Sequence, residues 1–177
     1  MHYYIKYDSP LGELTVLAEG GAITALVIEN QKFAEVHLKP VLEGKAAQRE
    51  IKILQRARQW LDAYFAGENP DPYRIKLNPE GTDFQQSVWE MLLDIPYGYT
   101  VSYRDIAMLL HSSPRAVGGA VGRNPISIII PCHRVVGTCG SVTGYAGGIE
   151  NKLKLLELED AVPNSYNVPG WRNLAGK

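Results

Sequence analysis

The run Ile128-Ile129-Ile130-Pro131-Cys132-His133-Arg134-Val135-Val136 sets a thiol beside an imidazole and a guanidinium, between two apolar, strand-like stretches. Nucleophilic transfer is the chemistry such a group could perform: the thiolate is the attacking form, and nearby positive charge draws a cysteine below its free pKa of about 8.5. The same residues also suit an inert thiol at a strand end, since free cysteine is among the most buried side chains. Neighbours in an extended chain project to opposite faces, so Cys132 and His133 are not expected to pair directly. Coupling between them needs a tight bend or a bridging water. His133 also needs an acid to orient it, and the candidates are Glu150, Glu157 and Glu159 in the helical pattern that follows. Cys139, the only other cysteine, has no charged neighbour and is assigned no role. The four histidines show no metal-ligand spacing with the cysteines, so no metal is expected.

A second feature lies just upstream. Arg115-Ala116-Val117-Gly118-Gly119-Ala120-Val121-Gly122 reads as a short helix opened by Pro114, with a nearly bare face. Each interior glycine costs a helix about 1 kcal/mol relative to alanine, so close approach is implied. Either a neighbouring helix packs tightly there, or something broader comes near. A DNA minor groove, about 6 Å wide, has no room for a helix with bulky side chains. Arg115 at the head of the helix would then point at the duplex. The tract 137–148, rich in glycine, has neither the lysine nor the spacing of a phosphate loop. It suits backbone lying against a flat ligand, or a plain flexible loop.

These groups need a scaffold, and an α+β pattern supplies one. Residues 2–7, 13–18 and 22–29 are β-branched or aromatic runs joined by turn chemistry, predicting an antiparallel meander. Apolar residues recur at threes and fours from Ala46 to Phe65, predicting one covering helix. Asn78-Pro79-Glu80-Gly81 looks like a linker. Beyond it, Thr82-Asp83-Phe84-Gln85 reads as a capping box for a helix with Phe84, Val88, Trp89, Leu92 and Leu93 on its apolar stripe. Ser102-Tyr103-Arg104-Asp105 caps another, with Ile106, Ala107, Leu109 and Leu110 buried, and this helix and the Pro114 helix outline a helix-turn-helix. A closing helix spans about 150–159, and the tail 163–177 has little periodicity.

Bulk properties narrow the class. A chain of 177 residues, 45% hydrophobic and 21% charged, fits one large or two small soluble domains. No apolar run reaches the roughly 20 residues that span a bilayer, and the N-terminus lacks a signal-peptide pattern, so a cytoplasmic protein without structural disulfides is expected. The net charge of −1 hides an asymmetry. Residues 1–94 carry ten basic against fourteen acidic side chains, and residues 95–177 carry eight against five. Between Ile95 and Ile149, Arg104, Arg115, Arg123 and Arg134 face only Asp105, which suits an anionic partner.

Taken together, the chain resembles the O6-alkylguanine-DNA alkyltransferases. Pro131-Cys132-His133-Arg134-Val135 matches that family's active-site signature, preceded by Arg115-Ala116-Val117-Gly118-Gly119-Ala120 and Asn124-Pro125 and followed by Gly144-Tyr145-Ala146-Gly147-Gly148. The resemblance is dense over 82–160 and architectural over 1–78. It implies a ribonuclease-H-like antiparallel sheet with a helix in residues 1–78, a winged-helix-like helix-turn-helix domain in 79–162 that binds DNA and accepts the alkyl group, and a tail in 163–177. It implies that Cys132 takes the alkyl group from guanine O6 once and irreversibly, without a cofactor, and that Glu159 holds His133, which activates Cys132 through a water. By the same resemblance, Tyr103 helps rotate the nucleotide out and protonates the departing base, and Arg115 fills the vacated place in the stack. Ala116, Gly118, Gly119 and Arg123 face the duplex. Asn124 is the hinge of the recognition helix, while Val135, Tyr145 and Ala146 line the base pocket. The implied partner is double-stranded DNA containing O6-alkylguanine, met through the minor groove by a monomer with no membrane role. Two departures stand out: Ala146 replaces a serine found in some members, and no cysteine precedes Cys132 to build the zinc site of some animal members. Three rivals remain: a lesion binder without transfer, a sequence-specific regulator, and a cysteine hydrolase.

Overall fold

A computed structural model describes residues 1–161, so the expected tail at 163–177 lies outside the described residues. The chain forms two compact units, Met1–Glu80 with Pro125–Ser127, and Gly81–Asn124 with the chain from Ile128 onward.

In the first unit, β1 (His2–Ser9), β2 (Gly12–Glu19) and β3 (Ala22–Ile28) form the expected antiparallel meander. Its first turn closes where Ser9 Oγ donates to Gly12 O at 2.7 Å, with Gly12 at φ 100°. Two one-turn helices, α1 (Ala34–His37) and α2 (Lys39–Leu42), follow. The helix expected from Ala46 begins later: Ala46–Gln48 is a strand, β4, parallel to β1, and α3 runs over Lys52–Phe65. The edge of β1 decides this, because His2 pairs with Ala46 and the Arg49 amide donates to Tyr4 O at 3.1 Å. A helix there would leave those backbone groups unpaired. The sheet is therefore mixed, in the order β3-β2-β1-β4. Ile53, Leu54, Ala57, Leu61 and Tyr64 form the buried stripe of α3, which packs on the sheet. The outer edge of β3 is covered by two short segments. Ile23 bridges Leu77, and Leu26 bridges Ile126, with Leu26 N donating to Pro125 O at 2.9 Å. Covering an edge removes a site for unwanted strand addition.

In the second unit, the Thr82–Gln85 capping box opens α4 (Asp83–Leu93). Val88, Trp89 and Leu92 are buried, whereas Phe84 is 36% exposed and Leu93 half-buried, so the core stripe is narrower than the spacing suggested. β5 (Val101–Ser102) leads into α5 (Tyr103–Leu109), where Ser102 and Asp105 form the second capping box. Ile106 and Ala107 are buried, but Leu109 and Leu110, expected in the core, are only half-buried. The third helix, α6 (Pro114–Gly122), is capped by Ser113, whose hydroxyl accepts from Ala116 N at 3.1 Å. Residues 128–130, expected to be extended, are not a strand: Ile128 sits at φ 71° and the chain bends into a 3-10 turn, Cys132–Arg134. β6 (Val135–Val136) pairs parallel with β5, and α7 (Ile149–Leu158) closes the unit. Among the described residues no helix is long and apolar enough to cross a membrane.

Candidate functional site

Cys132 and His133 sit on a 3-10 turn, Cys132–Arg134, and not on an extended strand. Its entry is pinned twice at one carbonyl, since Ile130 O accepts from Cys132 N at 2.8 Å and from Asn124 Nδ2 at 2.9 Å. Its exit is β6, paired so that Val136 lies beside Ser102, the cap residue of α5. Tyr103, the first residue of α5, follows that cap and lies close enough to Cys132 for the thiol to act on its phenol. α4 and α7 both pack against the turn.

Cys132 is a free thiol in a residue only 3% exposed. Burial pushes its pKa up, while hydrogen bonds from Asn124 and Tyr145 and the charge of Lys152 act in the opposite direction. The resting sulfur is therefore a neutral thiol. The flanking guanidinium does not activate it, contrary to the expectation from adjacency, because Arg134 is committed elsewhere. Arg134 Nε and Nη2 donate to Glu159 Oε2 and Oε1 at 2.8 and 2.9 Å, and Nη1 donates to Ile95 O at 2.6 Å. The ring of Tyr97 stacks against the same guanidinium at 5.7 Å.

Of the three candidate acids, Glu159 is the one that reaches His133, at 2.7 Å from Nε2. Both residues are buried, at 0% and 3% exposure. Burial holds the His133 pKa below its ordinary value, against the pull of Glu159, so the ring is neutral at pH 7. Burial alone would raise Glu159, but the charges and hydrogen bonds of His133 and Arg134 more than reverse it and keep the carboxylate ionised. A carboxylate only accepts, which puts the imidazole proton on Nε2 and the basic lone pair on Nδ1.

Tyr103, Tyr145 and Lys152 stand near the thiol. Tyr103 is half-buried, and burial, followed by proximity to Cys132, raises its pKa, so the phenol keeps its proton. Tyr145 and Ala146 are half-buried on the glycine tract, and Val135 is fully buried in β6. Lys152, on α7, is 0% exposed, and its Nζ lies 5.8 Å over the Tyr103 ring. Among the described residues no group of three or more His, Cys, Asp or Glu side chains could hold a metal ion.

Helix α6 presents a different surface. Arg115, Ala116, Gly119 and Arg123 are exposed, while Val117, Ala120 and Val121 are buried and Trp89 Nε1 donates to Ala120 O at 2.9 Å. A Cβ at Gly119 or Gly122 would meet nothing within 4 Å, and one at Gly118 would only touch the Tyr103 ring at 3.9 Å. Tight packing against another helix, one of the two readings of the bare face, therefore does not account for these glycines.

Residues 83–161 match the family described as 6-O-methylguanine DNA methyltransferase, DNA binding domain, and residues 2–79 match its ribonuclease-like domain. The chain belongs to the methylated-DNA--protein-cysteine methyltransferase family. A relative of that name from Haemophilus influenzae is 43% identical over 159 residues, covering 89% of this chain and 86% of its own length. The Mycobacterium tuberculosis relative is 44% identical, with 90% and 93% covered. Among solved structures, Mycobacterium tuberculosis OGT in complex with DNA superposes with a TM-score of 0.77 at 44% identity, covering 89% of this chain and 92% of that one.

As in any methylated-DNA--protein-cysteine methyltransferase, the chemistry requires a protein cysteine, and the fold brings three of the expected residues to one, Cys132. Cys132, Asn124 and Tyr145 meet at the thiol, Tyr103 stands beside it, and His133 and Glu159 form a separate buried pair. Arg115, Ala116, Gly119 and Arg123 lie apart, on the exposed face of α6. Two participants were missed by reasoning from types and spacing, Lys152 and the pairing of Arg134 with Glu159. A signal for the lysine existed: residues 152, 155, 156 and 159 fall on one stripe of α7, and a lysine in a stripe with Leu155 and Leu156 is buried on that pattern.

Proposed function

We propose that Cys132 is the acceptor of this DNA repair methyltransferase, taking the alkyl group from the O6 atom of a guanine that has been rotated out of duplex DNA. The observation that carries this reading is a buried neutral thiol lying next in sequence to a histidine whose Nε2 is held by an ionised carboxylate. In the proposed step, His133 Nδ1 takes the thiol proton through a water. The sulfur attacks the alkyl carbon, the carbon–O6 bond breaks, and the departing base gains a proton from Tyr103. His133 is left holding the proton from sulfur and Tyr103 lacks the one given to guanine; passage of one proton from imidazolium to phenolate through solvent restores both, and the products are a thioether and an ordinary guanine. A thioether does not revert, so each molecule acts once and needs no cofactor. Arg134 assists by holding Glu159 ionised without the carboxylate removing the proton from His133.

The exposed face of α6 supports a minor-groove approach, with Ala116, Gly118 and Gly119 against the backbone, Arg115 entering the stack and Arg123 at the rim. Base extrusion costs a few kcal/mol, less where the pair is already weakened. Val135, Asn124, Tyr145 and Ala146 would line the site of the extruded base. On this reading residues 1–78 form the scaffold domain and 79–162 the DNA-binding and transfer domain, acting as a monomer in the cytoplasm.

Incubation with a duplex containing one O6-methylguanine tests the proposal by intact mass. One CH2 unit is expected to be added per protein, mapping to Cys132, with no further gain under excess duplex. Tight binding without an adduct would leave a lesion binder; repeated turnover without an adduct would indicate a hydrolase. A strong sequence preference on undamaged duplex would indicate a regulator.

Gly119 offers a second check. Alanine there meets no protein atom and is expected to stabilise α6 by about 1 kcal/mol. Gly119→Leu, at an exposed position whose Cβ would meet nothing within 4 Å, should leave the melting temperature unimpaired while sharply weakening duplex binding in fluorescence anisotropy. Unchanged binding would remove α6 from the interface.

A further inference from the structure

We infer that Tyr97 is a positioning residue for the transfer step: from the turn between α4 and β5 it ties down the end of α7 and covers the Arg134–Glu159 pair, so that the carboxylate stays fixed against His133. The inference rests on the reading of Cys132 as acceptor and adds a residue to it.

Glu159 occupies an unfavourable place for its task. It is the C-cap residue of α7, and at a helix end the last carbonyls lack intrahelical partners and the backbone frays. A negative charge is also disfavoured there, because the helix dipole already concentrates partial negative charge at that end. Yet the contact with His133 Nε2 is only 2.7 Å long. A slip of one residue along the helix, about 1.5 Å, would break it. A group outside α7 has to hold its last turn in place.

The turn after α4 does so at four points. Tyr97 Oη donates to Leu158 O at 3.2 Å, the carbonyl of the residue before Glu159. The Gly98 amide donates to Glu159 Oε2 at 3.4 Å, and Ile95 O accepts from Arg134 Nη1 at 2.6 Å. The Tyr97 ring centroid lies 5.7 Å from the central guanidinium carbon of Arg134, within the range of cation–π attraction. The backbone permits this approach because residue 98 is glycine: it sits at φ 81°, and a Cβ there would come within 3.2 Å of Glu159 O. Of the three linked side chains, Arg134 keeps 10% exposure, while Glu159 and His133 keep none. The aromatic face lies over the one member that water could still reach, and a dry ion pair has the stronger electrostatics. Burial, followed by the charge of Glu159, holds the Tyr97 pKa above its ordinary value, so at pH 7 the phenol keeps the proton that it donates to Leu158 O.

Two variants separate hydroxyl from ring. Tyr97→Phe keeps the ring and loses the bond to Leu158 O, and Tyr97→Leu loses both. Single-turnover methyl transfer at saturating O6-methylguanine duplex is followed by intact mass, with duplex affinity by anisotropy and thermal melting measured alongside. Proton NMR reads the His133 Nε2 proton, which a buried bond to a carboxylate moves far downfield and protects from exchange. Y97L should transfer about tenfold more slowly, part of the roughly 10²- to 10⁴-fold that a general base contributes. Its duplex affinity should be unchanged, and its Nε2 proton signal should be lost to exchange with water. Y97F should keep that signal, with a smaller loss of rate and faster amide exchange at residues 158–161. A wild-type rate together with a protected Nε2 proton in Y97L would overturn the inference. So would rate losses matched by the unfolded fraction, or failure of both variants to fold, since each would make the tyrosine merely structural. An absent adduct in the wild type is a different result: it removes the acceptor reading itself.

Discussion

Alanine in place of Cys132 is expected to eliminate alkyl capture completely while leaving the affinity for an O6-methylguanine duplex near that of the wild type. The chain has one other cysteine, and it cannot substitute. Cys139 is exposed, sits at φ 62° in the 3-10 turn Thr138–Gly140, and lies outside the ring of Asn124, Tyr145 and Lys152 that surrounds Cys132. Folding should tolerate the change. The lost sulfur is a group about the size of a methylene and costs about 1 kcal/mol, and the resting thiol is neutral, so no buried charge loses its partner. On the proposed reading the duplex is met by α6 and the extruded base by the glycine tract, both untouched by the change. Intact mass with the damaged duplex and anisotropy with the same duplex give the two readouts. An adduct on another residue would relocate the acceptor. Lost affinity with a normal melting temperature would mean the sulfur holds the site together and does not react.

Local chemistry was the legible part of this molecule. The boxes Thr82–Gln85 and Ser102–Asp105, the Pro114 start and the three-stranded meander are each written within a few residues, and each formed as its residues require. What depended on distant partners was not legible. Ala46–Gln48 reads as helix until β1 offers it an edge, and parallel pairing leaves no turn signature between the strands. Ile128–Ile130 reads as strand, yet Ile128 adopts a left-handed backbone, rare for a β-branched residue, so that the chain can leave Pro125–Ser127 and enter the Cys132 turn. Within the site, spacing left Glu150, Glu157 and Glu159 equivalent, and only the position at the end of α7 decided among them. The charge beside the thiol was attributed to its sequence neighbour Arg134, whereas it comes from Lys152, twenty residues on.

Glu159→Gln is expected to damage both stability and transfer, because one carboxylate serves three partners. It accepts from His133, from two nitrogens of Arg134 and, at 3.4 Å, from the Gly98 amide. Removing one member of a buried ion pair strands the other charge, a loss of about 3–5 kcal/mol, and Arg134 would be stranded here. The amide also reverses a proton. Its NH2 group donates toward His133 Nε2, which forces the ring proton onto Nδ1 and removes the lone pair that accepts from the thiol, so transfer should slow by on the order of 10²- to 10⁴-fold, the usual contribution of a general base. The dependence on pH has a definite sign. Folded His133 stays neutral below its unfolded value of about 6.5, and folded Glu159 stays ionised below its unfolded value of about 4.3. Each binds fewer protons folded than unfolded, so stability falls as pH drops, first below about 6.5 through His133 and then below about 4.3 through Glu159. In the glutamine variant the second decline disappears. Urea denaturation from neutral to acidic pH should therefore show the two proteins far apart at pH 7 and converging on the acid side, as the wild-type carboxylate becomes the poorer bargain of an uncharged group. A gap that stayed constant down to the lowest pH would mean that Glu159 contributes through packing alone, and the ionised anchor for His133 would be lost with it.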